Sequence, residues 1–371
     1  MKKLLKAYKT EIKPTHDQKL KIHNTIGTCR YVYNLYIQKN KELYEQSSKF
    51  LTGYDFSKWL NNDYTKQEEY KWIKEVSTKA VKQSIMNGEK AFKRFFKKTS
   101  SFPKYKKRSD YGSFYLIGTV HVKRHLIQLP TLGKVKLKEK GYIPFDNVKS
   151  ATVIREADRY YVSVLVEEER LPKGYVEQTE GIGIDLGIKE FLYISDGNSV
   201  ANITKSTKII KLEKSLKRQQ RKLSRREKGS KNFKKQKLII QRLHRRIKNI
   251  KNDLKRKTVL TLVRNNPQYI TIENLNIKGL MKNRKLSNAF QQVGLGYFTD
   301  YLRVKCIEYE VELRQVSRWY PSSQICSDCG NRKKMPLSER VYKCENCGLE
   351  IDRDLNASIN LKQTKEYTVL V

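Results

Sequence analysis

The sequence predicts a multidomain α+β protein, and three observations carry that expectation. Apolar residues recur at helical spacing through residues 16–100, and short alternating runs follow through 101–172. From 173 onward, β-branched runs alternate with helical stretches and end in a paired-cysteine module. At 371 residues the chain has room for two or three domains, each with a sizeable core. Its 78 Lys+Arg against 38 Asp+Glu leave a formal net charge of +40. Such a field attracts polyanions and gains affinity from counterions released by phosphates. With no signal peptide and no apolar run of about 18 residues, a membrane partner is not expected. Six cysteines, four of them in two close pairs, indicate metal binding in a reducing cytoplasm rather than disulfides.

Residues 4–13 alternate up to Pro14 and predict a strand. Leu20, Ile22, Ile26, Cys29, Tyr33, Tyr36 and Leu43 predict a helix from His16 to about Gln46. A short helix with Asp55 as its cap is expected next, then one capped by Ser77 that runs through Phe92, Phe95 and Phe96 as core residues. The turn Phe102-Pro103-Lys104-Tyr105-Lys106-Lys107-Arg108 interleaves rings with cations, an arrangement that grips phosphates while a ring stacks on a base. Strands are expected at Phe114–Val122, Leu126–Leu129, Val135–Leu137, Ala151–Arg155 and Tyr160–Val166, forming a small antiparallel barrel. The strand at 4–13 joins it, so the helical bundle reads as an insertion. Pro172-Lys173-Gly174 marks a boundary.

The second half opens on Gly181-Ile-Gly-Ile-Asp185-Leu-Gly, a short buried strand that delivers one carboxylate. A buried acid needs a cationic partner, or else it caps the next turn. Phe191–Ile194 pairs back through Asp196-Gly197. Residues 205–257 hold 23 Lys/Arg against three acids. Ile209, Leu212, Leu216 and Leu223 mark one helix and Leu243, Ile247, Ile250 and Leu254 another, an antiparallel hairpin with one apolar seam. Its basic face offers Lys217, Arg218, Arg221, Lys222, Arg225 and Arg226 to a polyanion. A second strand, Tyr269–Leu275, delivers Glu273. A helix is expected on Tyr297, Tyr301, Val304 and Ile307, then a strand at 311–316.

Cys326-x2-Cys329-x14-Cys344-x2-Cys347, with Gly330 and Gly348 after the pairs, is the spacing of a structural four-thiolate zinc ribbon at 320–350. Cys29 and Cys306 read as core. Directly after the ribbon, Asp352-Arg-Asp354 precedes a helix, and either aspartate is a candidate third acid. Strand, hairpin, helices, strand, helix, strand and helix is the element order of an RNase H-like mixed fold. Three carboxylates in such a fold would hold two divalent cations about 3.5–4 Å apart.

Gly-Ile-Asp185-Leu-Gly, Ile-Glu273-Asn-Leu, Tyr320-Pro-Ser-Ser-Gln-Ile-Cys326-Ser-x-Cys329-Gly and Asp352-Arg-Asp354-x-Asn-Ala resemble TnpB, the insertion-sequence-encoded RNA-guided DNA endonuclease related to type V CRISPR effectors. The resemblance implies a first strand at 1–15, a helical recognition domain at 16–100, and a wedge β-barrel at 101–172. A RuvC nuclease domain at 173–371 would then carry the zinc ribbon. It also implies Asp185, Glu273 and Asp354 as catalytic ligands of two Mg²⁺ (or Mn²⁺) ions, one structural Zn²⁺, a guide RNA and target double-stranded DNA. A short flanking motif is then read by the protein. The setting implied is prokaryotic cytoplasm or nucleoid, with a monomer or dimer on one RNA. Rivals are a nuclease-inactive RNA-guided repressor, an RNase H-fold transposase acting without RNA, and a basic ribosomal or chromatin zinc-ribbon protein.

Overall fold

Exposed and inward residues alternate along Lys3–Lys13, the period of a half-buried strand, and these residues form β1. The computed structural model describes residues 3–47, 49–108, 111–169, 177–282, 286–336 and 338–371. The chain divides into two units, 1–172 and 173–371. The expected boundary at Pro172-Lys173-Gly174 lies outside the described residues.

In the first unit, β1 is the middle strand of a seven-stranded antiparallel sheet. The others are β2 (Tyr111–Ile117), β3 (His121–Val122), β4 (Leu126–Leu129), β5 (Gly133–Leu137), β6 (Val148–Glu156) and β7 (Arg159–Glu169). Their order is β2-β6-β7-β1-β5-β4-β3, and no ladder joins β2 to β3 among the described residues. Side chains of all seven strands meet in one core around Leu116, Ile127, Val135, Val153 and Val162. The single strand expected at Phe114–Val122 is two strands, because Gly118 takes φ 97° and breaks the run.

Among the described residues, three α-helices stand between β1 and β2 in the chain: α1 (His16–Ser47), α2 (Gly53–Asn62) and α3 (Thr78–Phe96). They close on Tyr36, Ile37, Phe56, Leu60, Ile85 and Phe92. Thr52, not Asp55, caps α2, its hydroxyl accepting from the Asp55 N–H. Ser77 holds the cap position of α3, yet its hydroxyl makes no capping bond. Only Phe92 of the three phenylalanines is core; Phe96 is exposed and Phe95 half-buried, because they lie one turn on from Phe92 where the bundle ends.

The second unit holds a six-stranded mixed sheet, β10-β9-β8-β11-β12-β15. Its strands are β8 (Ile182–Leu186), β9 (Glu190–Ile194), β10 (Ser199–Ala201), β11 (Tyr269–Glu273), β12 (Glu312–Val316) and β15 (Thr368–Val369). The three central strands β8, β11 and β12 run parallel, with antiparallel partners outside them. Buried on both faces, they read as the branched apolar runs that parallel strands require. Helix α4 (Thr207–Ser224) packs on α5 (Lys231–Arg264) through Ile209, Leu212, Leu216, Leu243, Ile247 and Ile250. The second helix does not stop at 257. Past Lys257 its sequence turns apolar, and Val259, Leu262 and Val263 enter the core beneath the sheet.

Short helices α6 (Ile277–Leu280) and α7 (Ser287–Val293) lead to α8 (Leu295–Tyr309). The buried face of α8 is Leu295, Phe298, Leu302 and Cys306, whereas Val304 and Ile307 are exposed. The helix carries two apolar stripes, and the core takes the one with Phe298. A two-stranded ribbon, β13 (Val341–Lys343) and β14 (Glu350–Asp352), precedes the last helix, α9 (Arg353–Gln363). No helix is long and apolar enough to cross a membrane among the described residues.

Candidate active site and metal centre

Asp185 lies on β8, two residues after Gly183, so both project from the same sheet face. Gly183 has no β-carbon to keep the next layer away, and the backbone of α9 at Ser358 and Lys362 lies against it. Ser358 is one turn beyond Asp354. Seating α9 on Gly183 therefore brings the helix start toward Asp185. On the other side of β8, Ile184 pairs with Ile272 of the parallel strand β11, and the next residue along β11 is Glu273. Three segments distant in sequence thus deliver Asp185, Glu273 and Asp354 to one face.

The acids act on one another. Burial, then the charges of Glu273 and Asp354, raises Asp185 well above its ordinary value of 3.8, against Arg353 and the Leu186 N–H. Burial also raises Glu273 above 4.5, with Asp354 adding to it and a Ser322 hydrogen bond opposing it. The Ser322 hydroxyl donates to Glu273 Oε1. Asp354 receives Arg353 Nη2 at 2.8 Å and Arg340 Nη1 at 3.5 Å. On β11, Thr271 Oγ1 is buried without a hydrogen-bond partner among the described residues. Carboxylates that resist ionising because they are buried and lie near other acids are a donor set suited to a divalent cation. The described acids do not come within 4.8 Å as a three-ligand group; the cysteines alone do.

Asp352 has a different task. Its carboxylate accepts from the Asp354 and Leu355 N–H groups and caps α9. Ser322, Arg340 and Arg353 were not legible as site residues. A serine in a loop and arginines in an arginine-rich chain give no periodic or spacing signal.

The four cysteines bring their sulfurs within 4.8 Å of one another. Cys326 Sγ is 3.6 Å from Cys347 Sγ, and Cys329 Sγ is 3.5 Å from Cys344 Sγ. A tetrahedron with Zn–S bonds of 2.3 Å has edges of about 3.8 Å, so the residues fit zinc. The two knuckles are alike. Gly330 and Gly348 both take φ 76° and return their N–H groups to Cys326 and Cys344 carbonyls. Backbone N–H bonds, that of Cys347 foremost, lower the Cys344 thiol to about 6, whereas, against the Leu349 N–H, burial and the neighbouring thiols push Cys347 up to about 12. Cys29 and Cys306 are buried, and burial pushes both thiols up to about 12, as befits core residues.

The ribbon is tied to the acids. Ser322 at its entry reaches Glu273, and Arg340 before β13 reaches Asp354. Asn356 and Asn360 of α9 donate to Ile325 and Ser322 carbonyls, and Ser327 N–H donates to Asn356.

The basic residues singled out in the sequence fall on two stretches, one in each unit. Lys211, Lys214, Lys217, Arg218, Arg221 and Lys222 of α4 and Arg225 just past its end line one open groove, and Arg226 next to it is exposed. In the first unit Lys104, Tyr105, Lys107 and Arg108 are exposed. Asn34 pins the turn through Lys106 backbone bonds of 2.8 and 3.0 Å, and the Lys106 ammonium sits 4.0 Å over Tyr33.

Family models match three stretches of the chain. One described as "Probable transposase" (OrfB_IS605) covers residues 161–284, a "Cas12f1-like, TNB domain" covers 296–361, and a "Helix-turn-helix domain" covers 1–49. Residues 3–47 fold as β1 and one unbroken 32-residue helix. A Streptomyces pristinaespiralis protein named "Putative RNA-guided DNA endonuclease" is 32% identical over 97% of this chain and 89% of its own length. "Putative RNA-guided DNA endonuclease InsQ" of Escherichia coli (strain K12) is 28% identical over 97% of this chain and 92% of its own. The solved structure titled "Structure of the mini-RNA-guided endonuclease CRISPR-Cas_phi3" shares the fold at 10% identity and TM-score 0.50, over 96% of this chain and 92% of that one. The match to the Streptomyces protein along nearly the whole of both chains shows that the chain belongs to the TnpB family of RNA-guided DNA endonucleases.

Proposed function

We propose that the chain is an RNA-guided DNA endonuclease whose cutting site is the face holding Asp185, Glu273 and Asp354. The observation that carries this reading is the delivery of three carboxylates from β8, β11 and α9 to one face, two of them raised by burial and by the charge of neighbouring acids. Those three residues would hold magnesium or manganese ions, which would supply an activated water and charge stabilisation at the leaving 3′ oxygen. Ser322 orients Glu273, and Arg353 with Arg340 restrains Asp354. Cys326, Cys329, Cys344 and Cys347 hold one zinc ion, which fixes the ribbon and through it these contacts. A guide RNA pairs with the target strand, and the protein reads a short flanking motif on the duplex. The α4 stripe and the 104–108 turn supply sequence-independent phosphate contacts.

A transposase acting without RNA is the second reading, favoured by the description of the model matched at 161–284. One experiment separates the two. The chain is purified with its bound nucleic acid, the RNA is sequenced, and plasmids carrying sequences matched to that RNA are supplied with Mg²⁺. RNA of defined length and cleavage at the matched target support the guided nuclease. Strand transfer by RNA-free protein supports the transposase.

A further inference from the structure

Tyr193 of β9 stands directly opposite Asp185 of β8. Opposed residues of an antiparallel pair project from one face with Cα atoms about 4.5–5.5 Å apart. The phenol therefore shares the face that carries the three acids. Its ring is half-buried. Four charged groups act on it: Asp352 and Asp354 at the start of α9, Glu190 on its own strand, and Arg340 ahead of β13. Its hydroxyl makes no hydrogen bond with any of the described residues.

We infer that Tyr193 is a further catalytic residue, donating its phenolic hydrogen to a non-bridging oxygen of the scissile phosphate. The inference rests on the nuclease reading of the same face. A phenol keeps its proton at neutral pH, so the hydroxyl is a donor to an acceptor placed on this face. Carboxylates held by ions or arginines have no need of that hydrogen. An arriving phosphodiester brings acceptor oxygens and satisfies the hydroxyl. The bond strengthens as negative charge collects on those oxygens, so its benefit appears in the rate of cutting more than in binding. A purely structural tyrosine at this place would serve equally well as phenylalanine.

The test uses the full chain with its bound RNA and compares wild type with Tyr193→Phe, which keeps the ring and its packing. Target affinity in EDTA and thermal unfolding are expected to stay the same, while the single-turnover cleavage rate falls roughly ten-fold. A stereodefined phosphorothioate at the cut position gives the second readout, since sulfur is a poor acceptor. One diastereomer should slow the wild type by an increment that Tyr193→Phe no longer shows, a double-mutant cycle between one hydroxyl and one oxygen. Cleavage at the wild-type rate by Tyr193→Phe overturns the inference. So does a slow variant whose response to both diastereomers matches the wild type, because the hydroxyl then acts away from the phosphate. A wild type that cuts no matched target defeats the nuclease reading itself, and the inference falls with it.

Discussion

The Ser358 carbonyl oxygen of α9 lies 2.0 Å from the point where a β-carbon on Gly183 would stand, and the Lys362 nitrogen lies 2.4 Å from it. Both are backbone atoms, which cannot swing aside as a side chain can. The close approach of α9 to β8 is thus written into one glycine, and it is the approach that carries Asp354 toward Asp185. Gly183→Ala should force the helix outward, lowering the stability of residues 173–371 by about 2 kcal/mol or more and reducing cleavage with it. Thermal unfolding beside a cleavage assay checks both. An alanine variant with unchanged melting and cutting would mean the helix has room to spare.

Asp352 and Asp354 make a matched pair for substitution. Asp352→Ala removes the α9 cap and should cost about 1 kcal/mol of stability while cleavage survives. Asp354→Ala should leave the cap in place and bring cleavage below detection. Reversed effects would move the third acid to 352.

Asp185 and Glu273 hold protons more tightly in the folded chain than in the unfolded one, since their folded values are raised. Without divalent cations their stabilising contribution is complete below about pH 4 and fades as pH climbs through the raised folded values. Asp185→Asn removes the Asp185 share of that dependence and leaves that of Glu273. In EDTA it should melt above the wild type at pH 8, by about 3 °C or more, with little difference near pH 4. Mg²⁺ should shrink the gap by stabilising the wild type alone. Equal melting of the two proteins at pH 8 in EDTA would show that ionised Asp185 is opposed neither by its burial nor by its acidic neighbours.

Zinc removal reaches the acids along two paths, Ser322 to Glu273 and Arg340 to Asp354. A Cys329→Ser chain, or one stripped by chelator, should lose cleavage although no acid has changed. RNA retention through α4 and the first unit should persist. Full activity in zinc-free protein, verified by metal analysis, would uncouple ribbon from site.

Much of this was legible in the residues themselves, for identifiable reasons. The Gly-Ile alternation before Asp185 and the branched run before Glu273 announce short buried strands, because parallel strands need apolar side chains on both faces. The cysteine spacing is equally direct. Other features turn on tertiary packing that local pattern does not encode. Asp352 and Asp354 are both acids at a helix start, and only the hydrogen bonds to the Asp354 and Leu355 N–H groups show which one caps. Helix α8 offers Val304 and Ile307 as plausibly as Leu302 and Cys306, and the choice is made by the sheet it meets. Gly118 sits in an alternating run whose break depends on its left-handed backbone.

Reversing charge at Lys214, Arg218, Arg221 and Arg225 together should weaken RNA retention and flatten its salt dependence. The slope of log K against log salt should become shallower by about 0.7–0.9 for every phosphate that these side chains no longer neutralise. Filter binding across a salt series measures this, and an unaltered slope would make the α4 stripe a solvated face.

The face holding Asp185, Glu273 and Asp354 is proposed to cut DNA chosen by RNA. The most direct measurement of this is cleavage of a plasmid matched to the copurified RNA, with Mg²⁺, by wild type and by Asp185→Ala and Glu273→Ala chains of equal RNA content. The expected result is double-strand breakage by the wild type alone, with target binding retained in all three. Undiminished cutting by either variant would contradict it.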